Sequence, residues 1–236
     1  MKTLLILGAS SDIGRALIEK VADSYDIIWA HYRTPGKLDE LTDKYGDKVR
    51  PVFADLSSVD EVTSMVDILI GAGGEPDDIV HIPMAPYEIK KFAKTDYDSF
   101  ESSMNLALRS SVIPLQAFLP VMKKRGRGRV VFVLSSVTEG DTPANQSVYV
   151  TVKYALLGLM KSLAAEYAGS GGCINAVSPD MIDTAYVSGL SHLILEQYAA
   201  SRPSGRLLAV DEVVPHIAGL LSDESGDLNG ANILVE

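Results

Sequence analysis

The stretch Thr3-Leu4-Leu5-Ile6-Leu7-Gly8-Ala9-Ser10-Ser11-Asp12-Ile13-Gly14-Arg15 decides the fold. A short apolar run closed by glycine reads as a buried first strand. Glycines after such a strand let the backbone turn tightly and approach a pyrophosphate. The helix that follows turns its free N–H groups and positive dipole end toward the anion. Gly14 lets that helix pack close to the sheet. Asp12 occupies a place where a third glycine is often found, and its carboxylate repels phosphate unless it points away, for instance as the helix cap. An ordinary strand–helix turn capped by Asp12 accounts for the same residues.

Working outward, short apolar runs alternate with longer amphipathic segments. Strands are predicted at Thr3–Leu7, Ile27–His31, Val49–Ala54, Ile79–Ile82, Arg129–Leu134, Cys173–Val177 and Asn232–Val235. Helices are predicted at Ile13–Ser24, Val59–Gly71, Tyr97–Lys124, Val148–Ala168, Val187–Ala200 and Val210–Leu221, with Pro114 and Pro120 kinking or ending the third. The β-α-β alternation predicts an α/β fold: a single doubly wound parallel sheet of about seven strands with helices on both faces. Residues 1–236 are expected to form one domain, with a substrate flap near 183–205 that contains Gly189, Pro203 and Gly205.

Composition narrows the function. The 236 residues carry a formal net charge of −10, which argues against nucleic acid. The exception is the basic run Lys123-Lys124-Arg125-Gly126-Arg127-Gly128-Arg129, read as a solvated helix-to-strand turn or as a dock for an acidic partner. The single cysteine, Cys173, cannot form an internal disulfide, so a reducing, cytoplasmic location is expected. No membrane span and no cleavable leader are expected, since the N-terminal apolar run is short and passes straight into the glycine turn. No metal site is expected.

Cofactor preference is read past the second strand. An acid there would grip the ribose 2′-hydroxyl of NAD. The residues are His31-Tyr32-Arg33-Thr34, with no acid, and the Arg33 guanidinium suits a 2′-phosphate, so NADP(H) is expected ahead of NAD(H). Arg33 as a solvated loop residue is the plain alternative. Asp55 follows the third strand, placed to reach an adenine or to cap the helix beginning near Ser57 or Ser58.

The sharper signal comes later. Ser135-Ser136 ends the fifth strand, and Tyr149-Val150-Thr151-Val152-Lys153 opens the next helix. Tyr149 and Lys153, four residues apart, share a helix face. An ammonium beside a phenol favours the phenolate, which makes Tyr149 a proton donor or acceptor near neutral pH.

With these residues in view, the whole chain resembles the short-chain dehydrogenase/reductase superfamily, and 3-oxoacyl-carrier-protein reductase-like members in particular. Gly8 to Gly14 is similar to that family's nucleotide turn, which implies cofactor contacts for Gly8, Ser10, Ser11, Asp12, Ile13 and Gly14. Asp55-Leu56 matches its adenine-contacting segment. Asn105, Ser136, Tyr149 and Lys153 match its catalytic tetrad. Asn175-Ala176-Val177-Ser178-Pro179 resembles the approach to the nicotinamide, with Ile182 and Thr184 beyond it. The resemblance implies that Tyr149 passes a proton to or from the substrate oxygen. Lys153 lowers its pKa and bonds the nicotinamide ribose. Ser136 positions the carbonyl, and Asn105 holds a water in a relay.

Departures from the family pattern fall on cofactor residues. Leu7 and Asp12 replace a threonine and a glycine, and Asp180 takes the glycine place after Pro179. His81-Ile82-Pro83-Met84 replaces an Asn-Asn-Ala-Gly segment, with His81 placed to bond in place of the first asparagine or to sit satisfied in the core. The chain ends at Glu236 without the family's usual terminal glycines.

The expected function is interconversion of a small-molecule carbonyl and a secondary alcohol by hydride transfer. One alternative is reduction of a 3-oxoacyl thioester on an acidic acyl carrier docked at the basic run. Another is a non-catalytic NADP(H) sensor. The Tyr97–Lys124 and Val148–Ala168 helices are apolar over more than one stripe, which predicts a homodimer or homotetramer. Val137, Thr138, Ala144, Asn145, Met181 and Tyr186 are candidates for the pocket wall, with residues 187–200 above them.

Overall fold

A computed structural model describes every residue except Asp141, Pro203 and Asp227. Pro203, part of the expected flap, therefore lies outside the described residues. Seven strands alternate with helices: β1 (Thr3–Leu7), α1 (Asp12–Val21), β2 (Ile27–Tyr32), α2 (Asp39–Tyr45), β3 (Val49–Phe53), α3 (Val59–Gly71) and β4 (Asp78–His81). Then follow α4 (Tyr97–Arg125), β5 (Gly128–Val133), α5 (Ser147–Glu166), β6 (Gly172–Pro179), α6 (His192–Ser201), α7 (Val210–Leu221) and β7 (Asn232–Val235).

All strand pairs are parallel, in the order β3-β2-β1-β4-β5-β6-β7. Successive side chains of a strand go to opposite faces. Thus Leu5 and Leu7 join a core under α3, α4 and α5. Leu4 and Ile6 join a second core under α1, α2 and α7. The strand order reverses between β1 and β4. That switch point opens a crevice at the carboxyl ends of the strands, where open sheets of this kind bind ligands.

Two expectations need correction. α4 runs unbroken through Pro114 and Pro120, because Leu115, Phe118, Leu119 and Met122, all at most 4% exposed, anchor its inner face. That burial outweighs the ~3 kcal/mol cost of a helical proline. α2 is a helix the periodicity does not reveal, since in seven residues it buries only Leu41. By length and composition alone α5 could cross a bilayer. In this fold it lies on β6 and beside α4, burying Val152, Leu156 and Met160.

The basic run lies where α4 passes into β5, at the end of the sheet opposite the crevice. Its arginines pair with carboxylates of the chain itself: Arg125 with Glu75 at 2.8 Å, Arg127 with Asp77 at 3.0 Å, and Arg129 with Asp223 at 3.5 Å.

Candidate active site

The glycine turn is built by steric necessity. Gly8 has φ +81°, a left-handed value that other residues resist. A Cβ on Gly14 would lie 2.6 Å from the Ala9 Cα, so only glycine lets α1 start this close to the sheet. Ser11, not Asp12, caps α1. Its Oγ accepts from the Gly14 N–H at 3.1 Å and donates to the Gly8 carbonyl at 2.8 Å. The Asp12 carboxylate turns away and accepts from the Ala185 N–H at 2.8 Å, which relieves the expected clash with phosphate. Ser10 and Ile13 are half-buried around this turn.

A residue without an assigned role holds the turn. The His31 Nδ1 accepts from the Gly8 N–H at 3.0 Å, so the ring proton sits on Nε2 and is given to the Ala54 carbonyl at 2.9 Å. Burial holds the imidazole pKa down. Arg33 is exposed just beyond β2, and its charge helps to depress the pKa of both His31 and Asp55. Asp55 accepts from the Ser57 N–H and hydroxyl, at 2.9 and 2.7 Å, which hold its carboxyl low. Asp55 does not cap α3, because Ser58 does.

Two expected cofactor residues turn their side chains inward. Leu56 is 5% exposed within the core. His81 is 2% exposed, bonded through Nε2 to the Ser110 hydroxyl at 2.8 Å, with Nδ1 unpartnered. Burial, then the Lys153 charge, pushes its pKa down to about 3. Neither side chain faces the crevice. Pro179 closes β6, Ile182 bridges to Leu208, and the Thr184 hydroxyl bonds the Ile182 carbonyl at 3.4 Å.

The tetrad candidates lie on α4 (Asn105), just past the end of β5 (Ser136) and on α5 (Tyr149 and Lys153). The Lys153 Nζ donates to the Val133 carbonyl at 2.9 Å and lies 5.6 Å from the Tyr149 ring centre. Burial pushes the Lys153 ammonium down to about 7. Contrary to expectation, the Tyr149 phenol is pushed up to about 12: burial dominates, the Asp180 charge adds to it, and a hydrogen bond with Ser135 opposes it. Asn105 is half-buried on α4.

The two adjacent serines divide their partners. Ser135 meets Tyr149, whereas the Ser136 hydroxyl donates to Asp180 at 3.2 Å. Asp180 is a hub the sequence reading missed. Its carboxylate also accepts from the Met181 N–H at 2.8 Å, from the Tyr198 hydroxyl and from the Arg202 guanidinium. Through these bonds α6 is latched over the site. Tyr186 latches the preceding turn, bonding the Ala85 carbonyl at 2.8 Å.

A cavity of about 150 Å³ opens beside Tyr149. Met84, Ala85 and Pro86 line one side, Ser99, Ser102 and Ser103 of α4 another, and residues 145–149 the third. Of the expected wall residues, only Asn145 lines it. Tyr87 stands edge-on between Tyr149 and Tyr186, with ring centres 5.0 and 5.7 Å away.

Residues 8–236 match the sequence model of the family described as Enoyl-(Acyl carrier protein) reductase, and the chain belongs to that family, within the short-chain dehydrogenase/reductase superfamily of oxidoreductases. It is similar to the 3-oxoacyl-(acyl-carrier-protein) reductase FabG of Aquifex aeolicus, 28% identical over 99% of this chain and 95% of that protein. Similarity also extends to the 3beta-hydroxysteroid dehydrogenase 2 of Eggerthella lenta, 26% identical over 100% and 93%. The fold matches the crystal structure of a 3-oxoacyl (acyl-carrier-protein) reductase from Agrobacterium tumefaciens C58 with NADP bound, with TM-score 0.89, 23% identity, and 99% and 92% of the two chains covered.

Proposed function

We propose that this chain, residues 1–236 acting as one domain, is a cytoplasmic NADP(H)-dependent oxidoreductase that interconverts a small carbonyl compound and its secondary alcohol. The observation that carries the reading is Lys153 one helical turn from Tyr149, with Lys153 bonded to the Val133 carbonyl at the end of β5 and Tyr149 lining a cavity. The Gly8–Gly14 turn holds its backbone close against the start of α1, whose N-terminal N–H groups suit a pyrophosphate, and the exposed Arg33 suits a 2′-phosphate. These residues fit a bound dinucleotide, with backbone contacts at Leu56 and His81 and contacts from Asp55, Pro179, Ile182 and Thr184. When bound, the cofactor supplies the hydride.

The protein's own residues handle the proton and the oxygen. Tyr149 holds the proton given to the developing alkoxide, or takes it in the reverse direction. One Lys153 donor is fixed on the Val133 carbonyl, and its remaining donors serve the phenolate and the ribose. Ser136 positions the substrate oxygen, and Asn105 holds a water behind Lys153. Asp180 governs Ser136 by accepting its proton in a hydrogen bond.

Reduction of a carrier-bound acyl thioester draws support from the names of relatives. The basic run does not add to it, because its arginines are engaged within the chain, far from Tyr149. The presence of both Tyr149 and Lys153 speaks against a sensor. Titration with NADPH and NADH, followed by a carbonyl panel, tests the proposal. NADPH should bind more tightly, and Tyr149→Phe should lose about 10²–10⁴-fold in turnover while still binding NADPH. Binding with no hydride transfer to any carbonyl would refute it.

A further inference from the structure

We infer, resting on the oxidoreductase reading above, that the substrate at Tyr149 is a small, neutral, multiply hydroxylated ketone or its polyol. Volume sets the size. A cavity near 150 Å³ holds a molecule of about six non-hydrogen atoms, the size of benzene. A hydroxylated ketone of three or four carbons, with roughly six to eight non-hydrogen atoms, is near that size.

The walls set the polarity. Ser99, Ser102 and Ser103 fall on one face of α4 and line the cavity; the Ser99 and Ser102 hydroxyls donate to the Asp96 carboxylate and the Asp98 carbonyl, both at 2.7 Å, and keep their acceptor lone pairs. Ser103 is 8% exposed. Opposite it, Gln146 is 7% exposed. Its Oε1 has no partner among the described residues; nor has the neighbouring Ser147 Oγ. A buried polar atom left unpaired costs about 1–3 kcal/mol. An apolar ligand would leave both unpaired, whereas vicinal hydroxyls on the substrate supply both donors and acceptors.

Charge sets the rest. The one lysine in the wall, Lys90, is already paired with Asp96 at 3.2 Å, and Glu88 adds a carboxylate. The walls therefore offer no surplus cation to a carboxylate or phosphate.

The test is a kinetic panel on the full chain with NADPH. L-erythrulose and dihydroxyacetone are compared with 2-butanone, cyclopentanone and an acetoacetyl thioester. The hydroxylated ketones should be reduced with kcat/KM at least about tenfold above the apolar ketones of similar size. Gln146→Leu and Ser103→Ala should each narrow that ratio about fivefold or more, mainly through KM for the hydroxylated member. Ser103→Ala keeps the test informative should Gln146→Leu fold poorly. Faster reduction of the apolar ketones or the thioester, abolished by Tyr149→Phe, would overturn this inference and leave the oxidoreductase reading intact. NADPH binding with no reduction of any member would overturn both.

Discussion

Asp180 accepts a hydrogen bond from the Ser136 hydroxyl at 3.2 Å, although a glycine is expected at its place after Pro179. Its other oxygen pairs with Arg202, so one carboxylate joins a tetrad candidate to the end of α6. Arg202 is 6% exposed and Asp180 17% exposed in this pair.

Removing Asp180 leaves the Arg202 charge buried, with its Nε already lacking a partner. Asp180→Gly should therefore cost about 2 kcal/mol, which lowers Tm by roughly 4–8 °C in a domain of this size. Arg202→Met should cost a similar amount, and the double variant should recover most of the loss, since each single change strands the other's charge. KM should rise more than kcat falls in Asp180→Gly, because α6 loses its latch. A double variant whose melting loss equals the summed single losses would contradict the coupling.

Lys153 makes a prediction with a definite sign. Burial holds its pKa near 7, against 10.5 in the unfolded chain. Between those values the unfolded state binds more protons than the folded one, so stability rises with pH. Below about pH 7 the folded protein carries the full cost of a buried ammonium. Lys153→Met removes that cost. Its Tm at pH 6 should exceed that of the wild type by at least about 2–4 °C, and the gap should close as pH approaches 10. Turnover should be lost, as the phenolate of Tyr149 loses its nearest cation. Tm-versus-pH curves that run parallel for the two proteins would reject the burial argument.

The doubly wound sheet was legible because its strands are nearly continuous apolar runs, a pattern local in sequence. So was the pairing of Tyr149 with Lys153, which needs only helical spacing. The Asp180 hub was not legible. Its partners lie on two other segments, Ser136 past β5 and Tyr198 and Arg202 on α6 and its end, and nothing in their spacing brings them to Asp180. The same holds for His31, whose bond to Gly8 spans 23 residues. The Tyr149 pKa ran opposite to expectation because pairwise reasoning counted the nearby ammonium and omitted desolvation. Adjacent Ser135 and Ser136 diverge because the chain enters a 3₁₀ turn at Ser136, which sends neighbouring side chains different ways.

Arg33 tests cofactor preference. Its guanidinium is exposed, so its removal costs the fold little. Loss of a charge-assisted bond of about 1.5–3 kcal/mol should raise the Kd for NADPH roughly 10- to 100-fold in Arg33→Ala. Affinity for NADH should stay within about twofold, since that cofactor has no 2′-phosphate to lose. Fluorescence titration of both reads the outcome. Equal weakening toward NADPH and NADH would mean that Arg33 acts on the fold of the turn and not on the phosphate.

α5 bears on assembly. Its inner face buries Val152, Leu156, Leu157, Met160 and Ala164. Its sequence stays apolar beyond that stripe, and Tyr154 remains 44% exposed. A helix apolar on more than its core face is either buried or an interface. α4 packs beside it, so the two outer faces form one continuous surface on which a second copy can seat by two-fold symmetry. A charge there would be desolvated twice in a symmetric contact. Tyr154→Glu should therefore shift the protein from dimer or tetramer to monomer in sedimentation velocity at micromolar concentration, with little change in the monomer's far-UV circular dichroism. A wild type that sediments as a monomer, or a variant that stays assembled, would remove α5 from the interface.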